Sequence, residues 1–228
     1  VHSVAVLVQH ERKLVATVEV LRAVLFVTLA AGLGSRFGGS KLETEIDGLP
    51  LYIRALRRMQ AFAGFPSYLV AGPGHMAEAA PEYGVTPVEN RDPRKGISHS
   101  LQLGLHRALE DNPGLKGVLF SVCDQPWLDS ATIQQIFNTA ALHPGCIVCA
   151  GRGEERGNPV LWDRKYFPEL MNLEGDRGGK QIMEKYKEKV RVVQAGEKEL
   201  RDIDVREDLP EAGGIKKRRG DENYGSET

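Results

Sequence analysis

An apolar run of β-branched and aromatic residues, Val24 to Thr28 (VLFVT), leads directly into the glycine-rich stretch LAAGLGSRFGGSK, Leu29 to Lys41. The run has the length and composition of a buried strand. The loop that follows holds Gly32, Gly34, Gly38 and Gly39, which let the backbone turn tightly and leave N–H groups bare, with Arg36 and Lys41 as its only charges. Bare amides and two cations suit a polyphosphate; the plain alternative is a glycine-rich surface turn.

Two familiar phosphate loops do not fit. The P-loop requires G-x-x-x-x-G-K-S/T, and the register that starts at Gly34 and reaches Gly39 meets Ser40, with Lys41 one place late. The dinucleotide fingerprint G-x-G-x-x-G starts at Gly32 and Gly34 but finds Phe37 in place of the third glycine.

Alternating elements surround this loop. After the turn Ile46-Asp47-Gly48-Leu49-Pro50, the residues Leu51, Ala55, Leu56, Met59 and Phe62 recur at helical spacing. Short apolar runs at Ser67 to Ala71, Thr86 to Glu89, Gly117 to Cys123, Cys146 to Ala150 and Val190 to Val193 read as strands. Between them lie a helix whose inner face is Leu101, Leu105, Ala108 and Leu109, with Ser98 as its expected cap, and one carrying Ile133, Ile136, Phe137 and Ala140, capped by Asp129 or Ser130. Strand and helix alternation of this kind predicts an α/β fold with a parallel sheet. Phe167 to Leu173 and the stretch after Gly178-Gly179 read as further helices, and Gly151 to Pro159 as a charged glycine loop.

The strand Gly117 to Cys123 ends in Asp124-Gln125-Pro126, which puts a carboxylate at the carboxyl end of a buried strand, where open α/β sheets bind ligands. Asp124 is therefore the strongest metal-ligand candidate, against the alternative of a turn aspartate before Pro126. Cys146 and Cys149 have C-x-x-C spacing, but on a strand they face opposite ways, which predicts core packing and not a metal pair. Asp202-Ile203-Asp204 carries a second carboxylate that matters if the fold brings it to Asp124.

The chain has 228 residues, a formal net charge of −1 and three cysteines. One domain, small-molecule or protein partners, no nucleic acid, no membrane and a cytoplasmic setting are the expectations. Residues 1–23 are expected to form an N-terminal extension of no assigned chemistry, 24–209 the domain, and 210–228 a disordered tail.

Taken in order, LAAGLGSRFGGSK, IDGLPL, NRDPRKGISHSLQLGL, CDQPWL, GNPVLW, LEGDRGGKQIM and DIDVRED resemble the MobA-like nucleotidyltransferases, and among them look most like the molybdenum cofactor cytidylyltransferases. The resemblance covers roughly residues 24–209. It implies a three-layer α/β/α fold with a mostly parallel mixed sheet, similar to the nucleotide-diphospho-sugar transferases. It also implies Mg²⁺-dependent transfer of CMP from CTP to the phosphate of molybdopterin-bound molybdenum cofactor, with a molybdenum hydroxylase or its maturation factor as a further partner.

By the same resemblance, Leu29, Ala30, Ala31 and Gly32 contact the nucleotide and Arg36 and Lys41 hold its triphosphate. Asn90 and Ser100 line the nucleotide pocket, Asp124 and Asp204 hold the metal, and Gly157, Asn158 and Pro159 lie near the acceptor. The chain departs from the family pattern at Val205-Arg206, where Thr-Pro is common, and at Arg91, where proline often follows the asparagine. The alternatives are a related nucleotidyltransferase using GTP or a sugar phosphate, and a non-catalytic carrier of the cofactor.

Overall fold

The computed structural model describes residues 24–30, 37 and 40–210. The expected N-terminal extension, residues 211–228 of the expected tail, and the loop residues Ala31, Gly32 and Arg36 lie outside the described residues.

Strand β1 (Val24–Leu29) is followed by a small hairpin of β2 (Glu45–Ile46) and β3 (Leu49–Pro50). Asp47 and Gly48 both have positive φ, 50° and 73°, the pairing that a two-residue hairpin turn demands. The turn read from the sequence is thus a complete hairpin. It leads straight into helix α1 (Leu51–Gln60), whose buried side carries Leu51, Ala55, Leu56 and Met59 as the spacing predicts.

The chain then builds outward from β1. Strand β4 (Ser67–Ala71) pairs with β1 in parallel, and β5 (Thr86–Glu89) pairs with β4 in parallel, with the short helix α2 (His75–Ala79) between them. Helix α3 (Ile97–Asp111) returns the chain to β6 (Gly117–Val122), which takes the other side of β1, again in parallel. Helix α4 (Ser130–Leu142) leads to β7 (Ile147–Arg152) and its hairpin partner β8 (Glu155–Asp163). Strand β8 inserts antiparallel between β6 and β7, and β9 (Val190–Gln194) closes the far edge parallel to β7. The order is β5-β4-β1-β6-β8-β7-β9, a mixed sheet in which only β8 runs against the rest.

Strand periodicity sorts the core into two faces. Leu69, Ala71, Leu119, Val148 and Leu161 point to the side covered by α1 and α4, where they meet Leu56, Met59, Ile133 and Phe137. Tyr68, Val70, Val118, Phe120, Cys149 and Trp162 point to the other side, against Leu101 and Leu105 of α3, Leu170 of α5 (Phe167–Met171) and Ile182 of α6 (Lys180–Lys185). Two helical layers over one sheet bury both faces, as a largely parallel sheet requires. Cys146 and Cys149 fall on opposite faces, and all three cysteines are free and buried.

Two local expectations change. Helix α3 begins at Ile97 with Gly96 at its N-cap, and Ser98 makes no capping bond. Gly96 has φ 86°, and a Cβ there would collide with the Gly175 carbonyl, so glycine lets the chain turn into the helix earlier and pack against the 172–179 loop. The segment Gly151 to Pro159 is mostly strand, with only Gly153 and Glu154 in its turn. Its residues lie mostly beyond the covered core, so they carry no apolar alternation to signal strand.

Candidate active site

All the parallel strands end on one edge, and the sequence candidates gather there. Ala30 follows β1, Asn90 follows β5, and Asp124 lies two residues beyond β6. A third small apolar cluster joins Phe37, Ile46 of the β2–β3 hairpin, Leu51 of α1 and Ile203.

The central contact links three distant parts of the chain. Lys41 begins a short 3-10 turn at the end of the glycine loop, and its Nζ lies 2.8 Å from Asp124 Oδ2 and 3.0 Å from Asp204 Oδ1. Lys41 and Asp204 are 163 residues apart in sequence. The segment after β9 crosses the sheet edge as a strap: the Ile203 N–H donates to the Asp124 carbonyl at 2.9 Å, which sets Asp204 beside Asp124. Asp208 fixes the strap's far end, its Oδ2 accepting from the N–H groups of Asp204 and Val205 at 2.8 and 2.9 Å.

Electrostatics in this cluster favour an added cation. Burial pulls the Lys41 ammonium pKa down, but Asp124, with Asp204, outweighs it and leaves it above the ordinary lysine value. Burial, together with the charges of Asp124 and Asp204, pushes the neighbouring Asp202 up to about 6, although part of that side chain meets solvent. Two carboxylates thus hold one ammonium, with a third carboxyl, Asp202, near enough to feel their charge. Asp124 Oδ1 is buried with no hydrogen-bond partner, an open acceptor that a divalent cation would satisfy. Among the described residues no cluster of three or more His, Cys, Asp or Glu forms a ready-made metal cage. That donor set fits Mg²⁺, which is held by one or two carboxylates plus substrate phosphates and water.

The remaining candidates divide by environment. Asn90 is fully buried; its N–H donates to the Ala71 carbonyl, its Nδ2 donates to Ser100 Oγ at 3.0 Å, and its Oδ1 accepts from the Asp92 N–H. Asn90 and Ser100 therefore join β5 to α3 at the sheet edge. The Ala30 N–H is committed to the Val70 carbonyl, and the Leu29 carbonyl accepts from the Cys123 N–H, so the Ala30 N–H is not available to a nucleotide. Gly157, Asn158 and Pro159 form a bulge: Cys149 pairs with Val160 but Ala150 with Gly157, so Asn158 and Pro159 leave the ladder. The strap passes close by, since a Cβ on Gly157 would meet the Leu200 side chain at 3.7 Å.

Sequence reasoning missed two residues here. Asp208 acts through backbone bonds, and its signal is an aspartate placed four residues after Asp204, in reach of the turn's N–H groups. Arg58 reaches the Asp124 loop from α1, with Nη2 donating to the Gln125 carbonyl at 2.9 Å. Its signal is a charge on the apolar stripe of that helix.

Several solved structures share this architecture. Rv0371c from Mycobacterium tuberculosis H37Rv aligns with a TM-score of 0.67 at 24% identity, covering 82% of this chain and 96% of its own. The same protein in complex with manganese aligns at 0.62 and 24%, over 82% and 95%. Mth528, described as a nucleotidyl transferase from Methanothermobacter, aligns at 0.65 and 23%, over 82% and 94%. These likenesses establish the nucleotide-diphospho-sugar transferase-like fold. No curated protein matches the sequence. The model of the MobA-like NTP transferase domain matches residues 26–190, a span running from β1 through Lys41 and Asp124 to the start of β9. A glycine-rich stretch that fits neither common phosphate-loop fingerprint, followed by a lysine paired with a strand-end aspartate, finds its explanation there: the chain belongs to the MobA-like NTP transferase family, and it is a nucleotidyltransferase.

Proposed function

We propose that this nucleotidyltransferase moves CMP from CTP onto the phosphate of molybdopterin-bound molybdenum cofactor, releasing pyrophosphate, with Mg²⁺ as its divalent cation. The observation that carries the reading is the meeting of Lys41 with Asp124 and Asp204 beyond the carboxyl end of β6. The choice of base rests on the Ala30-Ala31 pair, which resembles the cytidylyl branch of the family.

In the proposed reaction an oxygen of the acceptor phosphate attacks the α-phosphorus of CTP. A new P–O bond forms, the bond from the α-phosphorus to the bridging oxygen breaks, and its electron pair leaves with pyrophosphate. The acceptor phosphate is already ionised, so no side chain has to remove a proton. The protein's part is positioning and charge neutralisation. Arg36 and Lys41 take the charge that builds on the leaving group, and Asp124 and Asp204 would hold the metal. Bound Mg²⁺ supplies further neutralisation of the triphosphate. Gly157 to Pro159, bulging from β8 at the same edge, receives the acceptor.

The test is pyrophosphate release by the purified protein with Mg²⁺, molybdenum cofactor and each nucleoside triphosphate in turn. Release with CTP is expected. Release with GTP alone would move the protein to the guanylyl branch, release only with a sugar phosphate as acceptor would change the acceptor, and cofactor binding without release would make it a carrier.

A further inference from the structure

Helix α1 buries a charge that the proposed chemistry does not use. Arg58 shares the inward side of the helix with Leu51, Ala55 and Met59, and is only 8% exposed. Among the described residues no carboxylate forms an ion pair with it. Its Nη2 donates instead to two consecutive main-chain carbonyls, Gln125 at 2.9 Å and Pro126 at 3.4 Å. A buried guanidinium is costly unless its donors are satisfied, and burial lowers its pKa to about 10. A methionine or leucine would fill this stripe without that cost, so the arginine calls for a role beyond packing.

The carbonyls it grips belong to the turn immediately after Asp124. That turn holds the second carboxylate as well. Gln125 is 2% exposed, and its Nε2 donates to the Leu200 carbonyl at 3.5 Å. The Ile203 N–H closes the circuit on the Asp124 carbonyl. From Arg58 an unbroken path of bonds thus runs through the Gln125 turn to the strap that carries Asp204.

We propose that Arg58 is a positioning residue for the metal site: by clamping the Gln125 and Pro126 carbonyls from behind the sheet edge, it fixes the spacing of Asp124 and Asp204 that a divalent cation requires. A lysine offers a single point charge where the arginine offers a planar fork with several donors, so Arg58→Lys keeps the buried cation and loosens the clamp. The inference rests on the reading of Asp124 and Asp204 as metal ligands.

The experiment titrates Mn²⁺ into the full-length protein without nucleotide, reading free Mn²⁺ by electron paramagnetic resonance, for wild type, Arg58→Lys and Arg58→Met. The proposal expects about a tenfold weaker Mn²⁺ Kd for Arg58→Lys, which should fold like wild type by circular dichroism, and a larger loss for Arg58→Met. In turnover, the Mg²⁺ concentration for half-activation should rise while the nucleotide KM at saturating Mg²⁺ stays near wild type. Wild-type Mn²⁺ affinity in Arg58→Lys, with or without a lowered Tm, overturns the proposal and leaves the metal site intact; should Arg58→Met fail to fold, Arg58→Lys decides alone. Failure of the wild type itself to bind Mn²⁺ overturns the metal reading and this inference with it.

Discussion

Lys41 Nζ lies 2.8 Å from Asp124 Oδ2 across 83 residues of sequence, so the ammonium stands where a divalent cation would meet the same carboxylate. On the proposed metal reading, the two cations would compete for that carboxylate until a triphosphate offered Lys41 another partner. Lys41→Met therefore has opposite effects on binding and turnover. Turnover should fall roughly 10²- to 10³-fold, the usual loss for one transition-state charge partner, while Mn²⁺ binding without nucleotide tightens. Wild-type turnover in the variant would remove Lys41 from the site.

Asp124→Asn preserves shape and removes charge. Metal-dependent turnover should disappear at ordinary Mg²⁺ concentrations, with the fold unchanged by circular dichroism. Full activity at low Mg²⁺ would show that another group holds the metal.

The cysteines give a chemical test of burial. Burial, with Asp124 nearby, pushes the Cys123 thiol up to about 12, and burial pushes Cys149 up to about 11. At pH 8 only about one Cys123 in 10⁴ is then thiolate, the reactive form. Ellman's reagent should titrate essentially none of the three cysteines in native protein and all of them in denaturant. Rapid reaction of one equivalent in the native state would contradict the packing.

Gly96 couples backbone conformation to a close approach. Gly96→Ala meets both a φ of 86° and the Gly175 backbone, so a loss of about 2–4 kcal/mol is expected from strain plus displacement of the 172–179 loop. Denaturant titration measures it, and a loss below 0.5 kcal/mol would contradict the geometry.

Glu169 makes the fold acid-sensitive. The Tyr186 hydroxyl donates to its Oε1 at 2.6 Å and, with Lys185, holds its pKa below the ordinary glutamate value. A depressed carboxylate stabilises the fold above its unfolded-state pKa, and that contribution is lost as pH falls through the folded value. In Tyr186→Phe the fall in Tm between pH 7 and pH 3 should be smaller than in wild type; an equal or larger fall would contradict the assignment.

Much of this molecule is legible in its residues because the signals are local. Apolar runs and helical spacing locate β1, β4, β6, α1 and α4, and a carboxylate at a strand end marks Asp124. Other features depend on where distant segments meet. The strap that brings Asp204 to Lys41 has no periodicity, and its placement comes from long-range contacts, the Ile203 N–H to the Asp124 carbonyl, Gln125 to the Leu200 carbonyl and the burial of Ile203. The charged β7–β8 hairpin resembled a loop because its strands extend past the core. Arg58 was visible as a charge on an apolar stripe, but its carbonyl partners were not.

The central claim, transfer of the α-phosphoryl nucleotide unit at the Lys41–Asp124–Asp204 site, is tested most directly by following label from CTP with Mg²⁺ and molybdenum cofactor. The account predicts that label in the α-phosphate enters the cofactor, label in the γ-phosphate leaves as pyrophosphate, and Asp124→Asn does neither. Appearance of γ-label in the cofactor, or recovery of all α-label as unreacted CTP, would contradict it.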